Sequence, residues 1–359
     1  SAQLTGDTEP TEVSVQRQEW RDSFTFQQAK DRCHSVHSKF TTAVLQSGGL
    51  LCTLAAVRSG WTPIYGTEIC PEHNSAPLMC QDIRQLDGCN KNIQQQMWNE
   101  LTGSTCYGNT FTNITHYSKI PRPMYLKVSP ECTYYCIGGK QTGSESLTGW
   151  QLPDIAIVIL EIEPLVAQIE NSSNAPNVNS GSDVQTLKDR LSTKYTLHIN
   201  ECMSSYDYGD NIHSERWICI ALHESMGQLS QTFQLPEKLE VTSPPYCARD
   251  IAEPDSDVPS HLWRKDNTER LQWQTIPKPG HVHAIARAGP GMGSSRNPNL
   301  VSSWEGSTPR PTTTGGAIRH PSLTWKDTGN NAVGPTRLAT NIELVRAMSA
   351  PKDTIDFYA

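Results

Sequence analysis

Long apolar runs, paired cysteines and charge are all scarce in this sequence, and each shortage narrows what the chain can be. No stretch of about 18 consecutive apolar residues occurs, so no segment reads as a membrane-spanning helix and no membrane partner is expected. No Cys-x-x-Cys pair appears among the 11 cysteines. An odd, scattered set of this kind reads as reduced thiols of an intracellular protein, nuclear or cytoplasmic, rather than as a disulfide framework. Cys33-His34 with His37, and the series Cys70, Cys80 and Cys89, fit no common zinc spacing, so no metal centre is expected. Asn113-Ile114-Thr115 and Asn171-Ser172-Ser173 match the glycosylation triplet, which recurs by chance and carries little weight in an intracellular chain. No secretory leader pattern stands at Ser1, and the missing initiator Met leaves room for an upstream piece.

Hydrophobic residues make up 36% of the 359, with 24 Gly and 24 Pro, which points to long loops rather than an all-helical body. The length suits about two domains. The formal charge of -7 argues against a nonspecific polyanion binder but leaves room for a local basic cleft.

Residues 1–40 are polar and read as a loosely packed arm. Thr41 to Leu45 reads as a strand, followed by Gln46-Ser47-Gly48-Gly49 and an apolar helix from Leu50 to Val57. Thr62 to Thr67 reads as a second strand and stops at Glu68. Strand, glycine turn, helix, strand and acidic residue form a βαβ unit suited to a nucleoside-bearing cofactor, with the acid on ribose hydroxyls. Met124 to Val128 reads as a strand that runs into Ser129-Pro130-Glu131-Cys132. Ile155 to Leu160 is a continuous β-branched run, expected as a strand buried on both faces and ending at Glu161. Asp183 to Leu191 reads as a helix, and Tyr195 to Glu201 and Trp217 to Leu222 as two further strands. The alternation implies an α/β, mostly parallel, doubly wound sheet over 41–225.

Beyond that point the texture changes to Pro, Gly, Ser, Trp and His with little periodicity. From Ser260 to His320 eight basic residues (Arg264, Lys265, Arg270, Lys278, Arg287, Arg296, Arg310, Arg319) oppose three acids (Asp266, Glu269, Glu305), a net of +5. A basic, loop-rich insert at 226–320 in an acidic chain fits a nucleic-acid-reading lobe facing the Cys132 loop. Residues 321–359 are expected to complete the first domain, with Thr336 to Met348 as a closing helix.

The most specific segment is Cys132 followed by Tyr135, Cys136 and Gly138-Gly139-Lys140. A cysteine just past a strand's carboxyl end sits where open α/β sheets bind ligands, and a glycine-rich loop beside it can close over a substrate. This segment resembles the nucleophile motif of DNA cytosine-5 methyltransferases, Pro-Pro-Cys-Gln-x-Phe-Ser-x-Ala-Gly-Lys, with Glu131 at the second proline. Other segments resemble that family's motifs in its order. Gly48-Gly49 is similar to the end of the Phe-x-Gly-x-Gly-Gly turn, with Gln46 at its first glycine. Glu68 with Ile69 matches the ribose-binding acid, and Asp82-Ile83 the pair that brackets the adenine. Glu161 resembles the Glu of Glu-Asn-Val, with Ile162 at the Asn and Glu163 as a rival carboxylate. Arg216 matches the last arginine of Gln-x-Arg-x-Arg, whose first falls on Ser214. Asn331-Ala332-Val333 resembles Gly-Asn-Ala-Val near the C-terminus.

The resemblance implies a Rossmann-like S-adenosylmethionine-dependent methyltransferase fold with a smaller target-recognition lobe. It implies that Cys132 attacks carbon 6 of a flipped-out cytosine, Glu161 serves the ring nitrogen and Arg216 the ring carbonyl. S-adenosylmethionine would lie against Gly48, Gly49, Glu68, Ile69, Asp82, Ile83, Asn331 and Val333. Double-stranded DNA would meet Lys140, Arg264, Lys265, Arg270, Arg287 and Arg296, on a monomer. The departures at Gln46, Glu131, Ile162 and Ser214 leave two alternatives: an inactive relative serving as a nucleic-acid- or protein-binding scaffold, or an enzyme acting on RNA.

Overall fold

The structure is a computed structural model. It describes residues 24–35, 39–46, 51–67, 93–107, 110–111, 117–137, 139–208, 212, 214–238, 248–264, 284–287, 300–302, 319–321, 336–340, 342–343 and 346. Helix α1 (Phe26–Ser35) precedes β1 (Thr41–Leu45), α2 (Leu51–Arg58) and β2 (Thr62–Thr67). Then come α3 (Ile93–Thr102), β3 (Thr105–Tyr107), β4 (Tyr125–Val128), α4 (Gln151–Ile162) and β5 (Val166–Ser172). The series ends with α5 (Ser182–Leu191), β6 (Tyr195–Ser204), β7 (Glu215–His223) and α6 (Gln228–Thr232).

The seven strands form one sheet in the order β3-β2-β1-β4-β5-β7-β6. The pairs from β3 to β5 are all parallel, and β7 runs antiparallel to both its neighbours. This is a Rossmann-like sheet, and its strand order reverses between β1 and β4. The carboxyl ends of those two strands therefore flank the crevice where such sheets take their ligands. The β-branched and aliphatic strand interiors pack under α4 and α5, with Leu126, Val128, Ile155, Ile159, Ile169, Leu187 and Trp217 in one buried cluster.

Three expectations need correction. Ile155 to Leu160 is helical, within α4, and not a strand. Its less buried positions are Asp154, Ile157, Leu160 and Glu161, a helical spacing, while Leu152, Ile155, Ala156, Val158, Ile159 and Ile162 are buried. Burial of so much of the helix masks the period and makes it resemble a core strand. Pro153 is tolerated because the first-turn amides have no intrahelical partner. The helix stops at Glu163, whose left-handed φ of 51° and N–H bond to Ile159 O form a C-cap, with Pro164 behind it.

The second correction concerns the arm. Its described part is α1, whose Phe26 and Ala29 are buried with Val44, Leu54, Val57, Trp98 and Leu101 on the other face of the sheet. Trp98 lies so close over β2 that a Cβ on Gly66 would stand 2.9 Å from its indole.

The third is the C-terminal segment. Thr336 to Leu338 is a strand, not the start of a helix. It is β12 of a second, five-stranded sheet with β8 (Trp263–Arg264), β9 (Ala284–Arg287), β10 (Leu300–Ser302) and β11 (Arg319–Pro321), in the order β8-β12-β11-β10-β9. The described strand of 321–359 thus pairs with strands of 226–320 rather than with the large sheet. Arg337 on β12 is fully buried and bridges Glu343 at 2.7 Å and Asp255 at 3.2 Å. Among the described residues no helix is long and apolar enough to cross a membrane.

Candidate functional site

The site is built from the carboxyl ends of β4 and β5 and the amino end of β7. Beyond Val128 the chain turns through Pro130 and Glu131 to Cys132. The amides of Tyr135 and Cys136 both donate to Cys132 O at 3.0 Å, closing a helical turn behind the cysteine. Buried Asn171 on β5 donates to Pro130 O at 3.2 Å. Glu131 N donates to Gln151 Oε1 at 3.4 Å at the start of α4. The Glu131 carboxylate accepts from Thr133 N at 2.8 Å and from the Thr133 hydroxyl. The turn is pinned from β5 and from the start of α4.

Beside it, Arg216 Nε meets Glu170 Oε1 at 2.5 Å, both side chains about four-fifths buried (18% and 22% exposed). Register explains the pair. Arg216 lies opposite Ser172, and Glu170 opposite Ile218, so the two are diagonal neighbours on one face. Arg216 Nη1 donates to Glu215 O at 2.8 Å. Its Nη2 is buried and, among the described residues, has no partner.

Cys132 is a free, half-buried thiol. Burial above all pushes its pKa up to about 12, with the charge of Glu170 adding to the rise, Arg216 opposing it, and Glu131 and Cys136 adding less. Cys132, Glu170 and Arg216 therefore share one electrostatic site. A nucleophile, a carboxyl group and a guanidinium with a spare donor can add to an electron-poor ring and receive the charge that moves across it.

Glu161 is not part of this site, and the expectation that it serves the ring nitrogen is corrected. It lies exposed near the end of α4, while Gln151 at the start of that helix touches the Cys132 turn. Ten residues at about 1.5 Å each put Glu161 roughly 15 Å away, toward the opposite edge of the sheet. The rival Glu163 caps α4 and pairs with Lys194 and, at 3.9 Å, with Arg122. The hydrogen bond from Lys194 holds its carboxyl below the usual range.

The carboxylate at the site is Glu170, which the sequence reading missed. The signal was present as Glu170-Asn171, a true Glu-Asn pair, whereas Glu161 is followed by Ile162. Reading α4 as a strand used up the strand position that belongs to β5. Asn171 is also fully buried, so it is no glycosylation acceptor.

Of the other expected site residues, Lys140 is exposed in the loop after Cys132. Arg264 lies on β8 and Arg287 on β9. Gly48, Gly49, Glu68, Ile69, Asp82, Ile83, Lys265, Arg270, Arg296, Asn331 and Val333 lie outside the described residues.

The described part of the β1–β4 crevice fits a polar, nucleoside-like ligand. Gln46 at the end of β1 has a left-handed φ of 56°, a conformation that favours glycine. Its amide donates to Thr67 Oγ1 at 3.1 Å and its Nε2 to Gln151 Oε1 at 2.7 Å. Its Oε1 is buried with no partner among the described residues. An acceptor left open at the switch point suits a hydroxyl or ammonium donor. Among the described residues no group of three metal-ligating side chains occurs.

A model of the family described as C-5 cytosine-specific DNA methylase matches residues 92–358. Among solved structures, the chain is similar to one described as a DNA modification methyltransferase encoded within an E. coli prophage, at 14% identity and a TM-score of 0.44, over 71% of this chain and 62% of that one. A mutant of Spodoptera frugiperda DNMT2 matches at 14% identity and TM-score 0.42, over 61% of each chain. The Entamoeba histolytica methyltransferase EhMeth matches at 14% and 0.41, over 63% of this chain and 65% of that one. The chain thus spans less than two thirds of the length of each. A search of curated proteins gave no match.

Proposed function

The chain belongs to the C-5 cytosine-specific DNA methylase family, and from that premise we propose that it transfers a methyl group from S-adenosylmethionine to carbon 5 of a cytosine flipped out of double-stranded DNA, through a covalent Cys132 adduct. The observation that carries the reading is the Glu170–Arg216 pair beside Cys132, with Arg216 Nη2 buried and unpaired.

Carbon 5 of cytosine is too weak a nucleophile to take a methyl group unaided. Sulfur addition at carbon 6 moves an electron pair toward the ring nitrogen and makes carbon 5 enamine-like. Glu170 faces that nitrogen and supplies the proton or hydrogen bond it then needs. Arg216 Nη2 takes the ring carbonyl and so satisfies its open donor. After methylation the carbon 5 proton leaves to a base and the Cys132 sulfur is expelled, restoring the ring. S-adenosylmethionine, when bound, supplies a methyl group on a sulfonium. Gln46 would hold it, with Gly48, Gly49, Glu68, Ile69, Asp82, Ile83, Asn331 and Val333 as the family pattern implies. Lys140 with Arg264, Lys265, Arg270, Arg287 and Arg296 would contact phosphates from the loop and the 226–320 lobe. Their neutralisation in pairs should flatten the salt dependence of DNA affinity.

Duplex DNA carrying 5-fluorocytosine tests the reading, because fluorine cannot leave as a proton does. Wild type should be trapped as an adduct in the presence of S-adenosylmethionine, and Cys132→Ser should not. Wild type that binds the cofactor yet neither methylates nor traps any duplex sinks it. One observation favours a silent scaffold as the second reading: a thiol pushed up to about 12 is almost wholly protonated near neutral pH. Transfer to RNA in place of DNA in the same assay would change the substrate and keep the site.

A further inference from the structure

We propose that Asp183 is a positioning residue that latches the loop bearing Cys132 and Lys140 to the start of α5, which rests on reading Cys132 as the nucleophile. Asp183 lies in the first turn of α5 and is 5% exposed. Its Oδ2 accepts from Tyr135 Oη at 2.9 Å, Ser144 N at 2.9 Å and Asn179 Nδ2 at 3.2 Å. Its Oδ1 accepts from Ser144 Oγ at 2.5 Å. A buried carboxylate with four donors is fully satisfied and strongly directional.

These donors tie down both halves of the loop. Tyr135 is fully buried, and its amide closes the Cys132 turn. Its hydroxyl is shared between Asp183 and Gly149 O, at 2.8 Å from the latter. Ser144 anchors the far half. Gly143 has a φ of +51°, and a Cβ there would stand 2.4 Å from Asp183 Oδ2. Asn179 Nδ2 also reaches Thr142 O at 3.3 Å. Asn179 and Ser180 are themselves left-handed, at φ 49° and 54°. Non-glycine residues hold that conformation where the surroundings over-determine it. Between the anchors, Ile137, Lys140, Gln141 and Thr142 are exposed. The latch thus fixes the stems of the loop and leaves its tip, with Lys140, free to meet a substrate.

The donor pattern distinguishes two substitutions at this position. Asp183→Asn can keep its oxygen at the Oδ2 site and turn its NH₂ toward Ser144 Oγ, because a serine hydroxyl can accept as well as donate. Asp183→Ala removes both acceptors and leaves buried donors unpaired. Trypsin cleavage after Lys140 reads the loop directly, since cleavage needs local opening. Asp183→Ala should speed that cut about 10–100-fold, the scale for losing one charge-assisted bond, and lower kcat for methyl transfer with S-adenosylmethionine affinity unchanged. Asp183→Asn should recover most of both.

A folded Asp183→Ala that is cut at the wild-type rate overturns the proposal, and so does Asp183→Asn behaving like Ala. If Asp183→Ala does not fold, the double change Tyr135→Phe with Ser144→Ala removes the loop's side-chain donors and decides by the same cut. The proteolysis needs no methyl transfer. A protein that methylates nothing but shows the expected cleavage pattern refutes the catalytic reading and keeps the latch.

Discussion

Replacing Glu170 with Gln should make Cys132 more reactive and the protein less active, two effects of opposite sign from one substitution. The thiol is held near 12 first by burial and next by the charge of Glu170, with Arg216 opposing. An unperturbed cysteine is about a tenth thiolate one pH unit below its pKa, and each further unit of pKa removes another factor of ten. At pH 8 Cys132 is therefore held in its protonated form in the resting protein, well beyond an ordinary thiol. Glu170→Gln keeps the shape and removes the anion. It also frees Arg216, whose charge then acts on the sulfur without its counter-ion at 2.5 Å. A single charge within a few ångströms moves a pKa by about one unit or more. Alkylation of Cys132 by iodoacetamide at pH 8 should rise roughly tenfold. Methyl transfer should fall by about 10²–10⁴, the usual scale for a lost general acid.

Peptide-resolved mass spectrometry reads the first effect, with exposed Cys202 as internal reference. In wild type, the alkylation rate at Cys132 should keep climbing with pH through 9 and 10 instead of levelling near the ordinary thiol value of 9.0. An unchanged or slower rate in Glu170→Gln would mean that the carboxylate does not act on the sulfur. A faster rate with methyl transfer intact would keep the electrostatics and remove Glu170 from the chemistry.

Three further outcomes follow from the packing. Asn171→Ala removes the bond to Pro130 O and leaves a buried carbonyl unpaired, so chemical denaturation should show a loss of about 1–3 kcal/mol. Arg337→Met strands the buried Glu343 carboxylate without its counter-charge, and the same measurement should show about 3–5 kcal/mol. Glu161→Gln, on the exposed face of α4, should leave methyl transfer at the wild-type rate and stability within about 0.5 kcal/mol.

The sheet's first half was legible because its signals are local. Thr41 to Leu45, the apolar helix behind it and Thr62 to Thr67 are set by short runs and turn residues, and the structure has β1, α2 and β2 there. The Cys132 turn was legible for the same reason. The second half misled where burial removed the periodicity. Helix α4 is apolar on so many sides that Ile155 to Leu160 looks like a core strand, and only Pro153, Asp154 and the Glu163-Pro164 stop mark it as a helix. One misassigned element then displaced the next. With a strand already placed at 155–160, Val166 to Ser172 had no role, and the carboxylate was sought one element too early. Strand β12 was hidden for another reason. It is three residues long and gains its pairing from β11 and from β8, the latter distant in sequence. Nothing local announces such a strand.

The direction of β7 determines why a residue near its start, rather than its end, belongs to the site. In a parallel sheet the carboxyl ends of all strands share one edge, and Cys132 and Glu170 reach it in that way from β4 and β5. Strand β7 runs the other way, so its amino end lies at that edge. Arg216, its second residue, stands opposite Ser172 next to Glu170, while His223 at its far end pairs with Tyr195 at the start of β6. Were β7 parallel, Arg216 would sit about six residues lower, roughly 20 Å away at about 3.3 Å per residue. The charge of Glu170 would then act on Cys132 without that counter-charge. The single reversed strand thus delivers the guanidinium that opposes Glu170 at the sulfur, with one buried donor unpaired among the described residues.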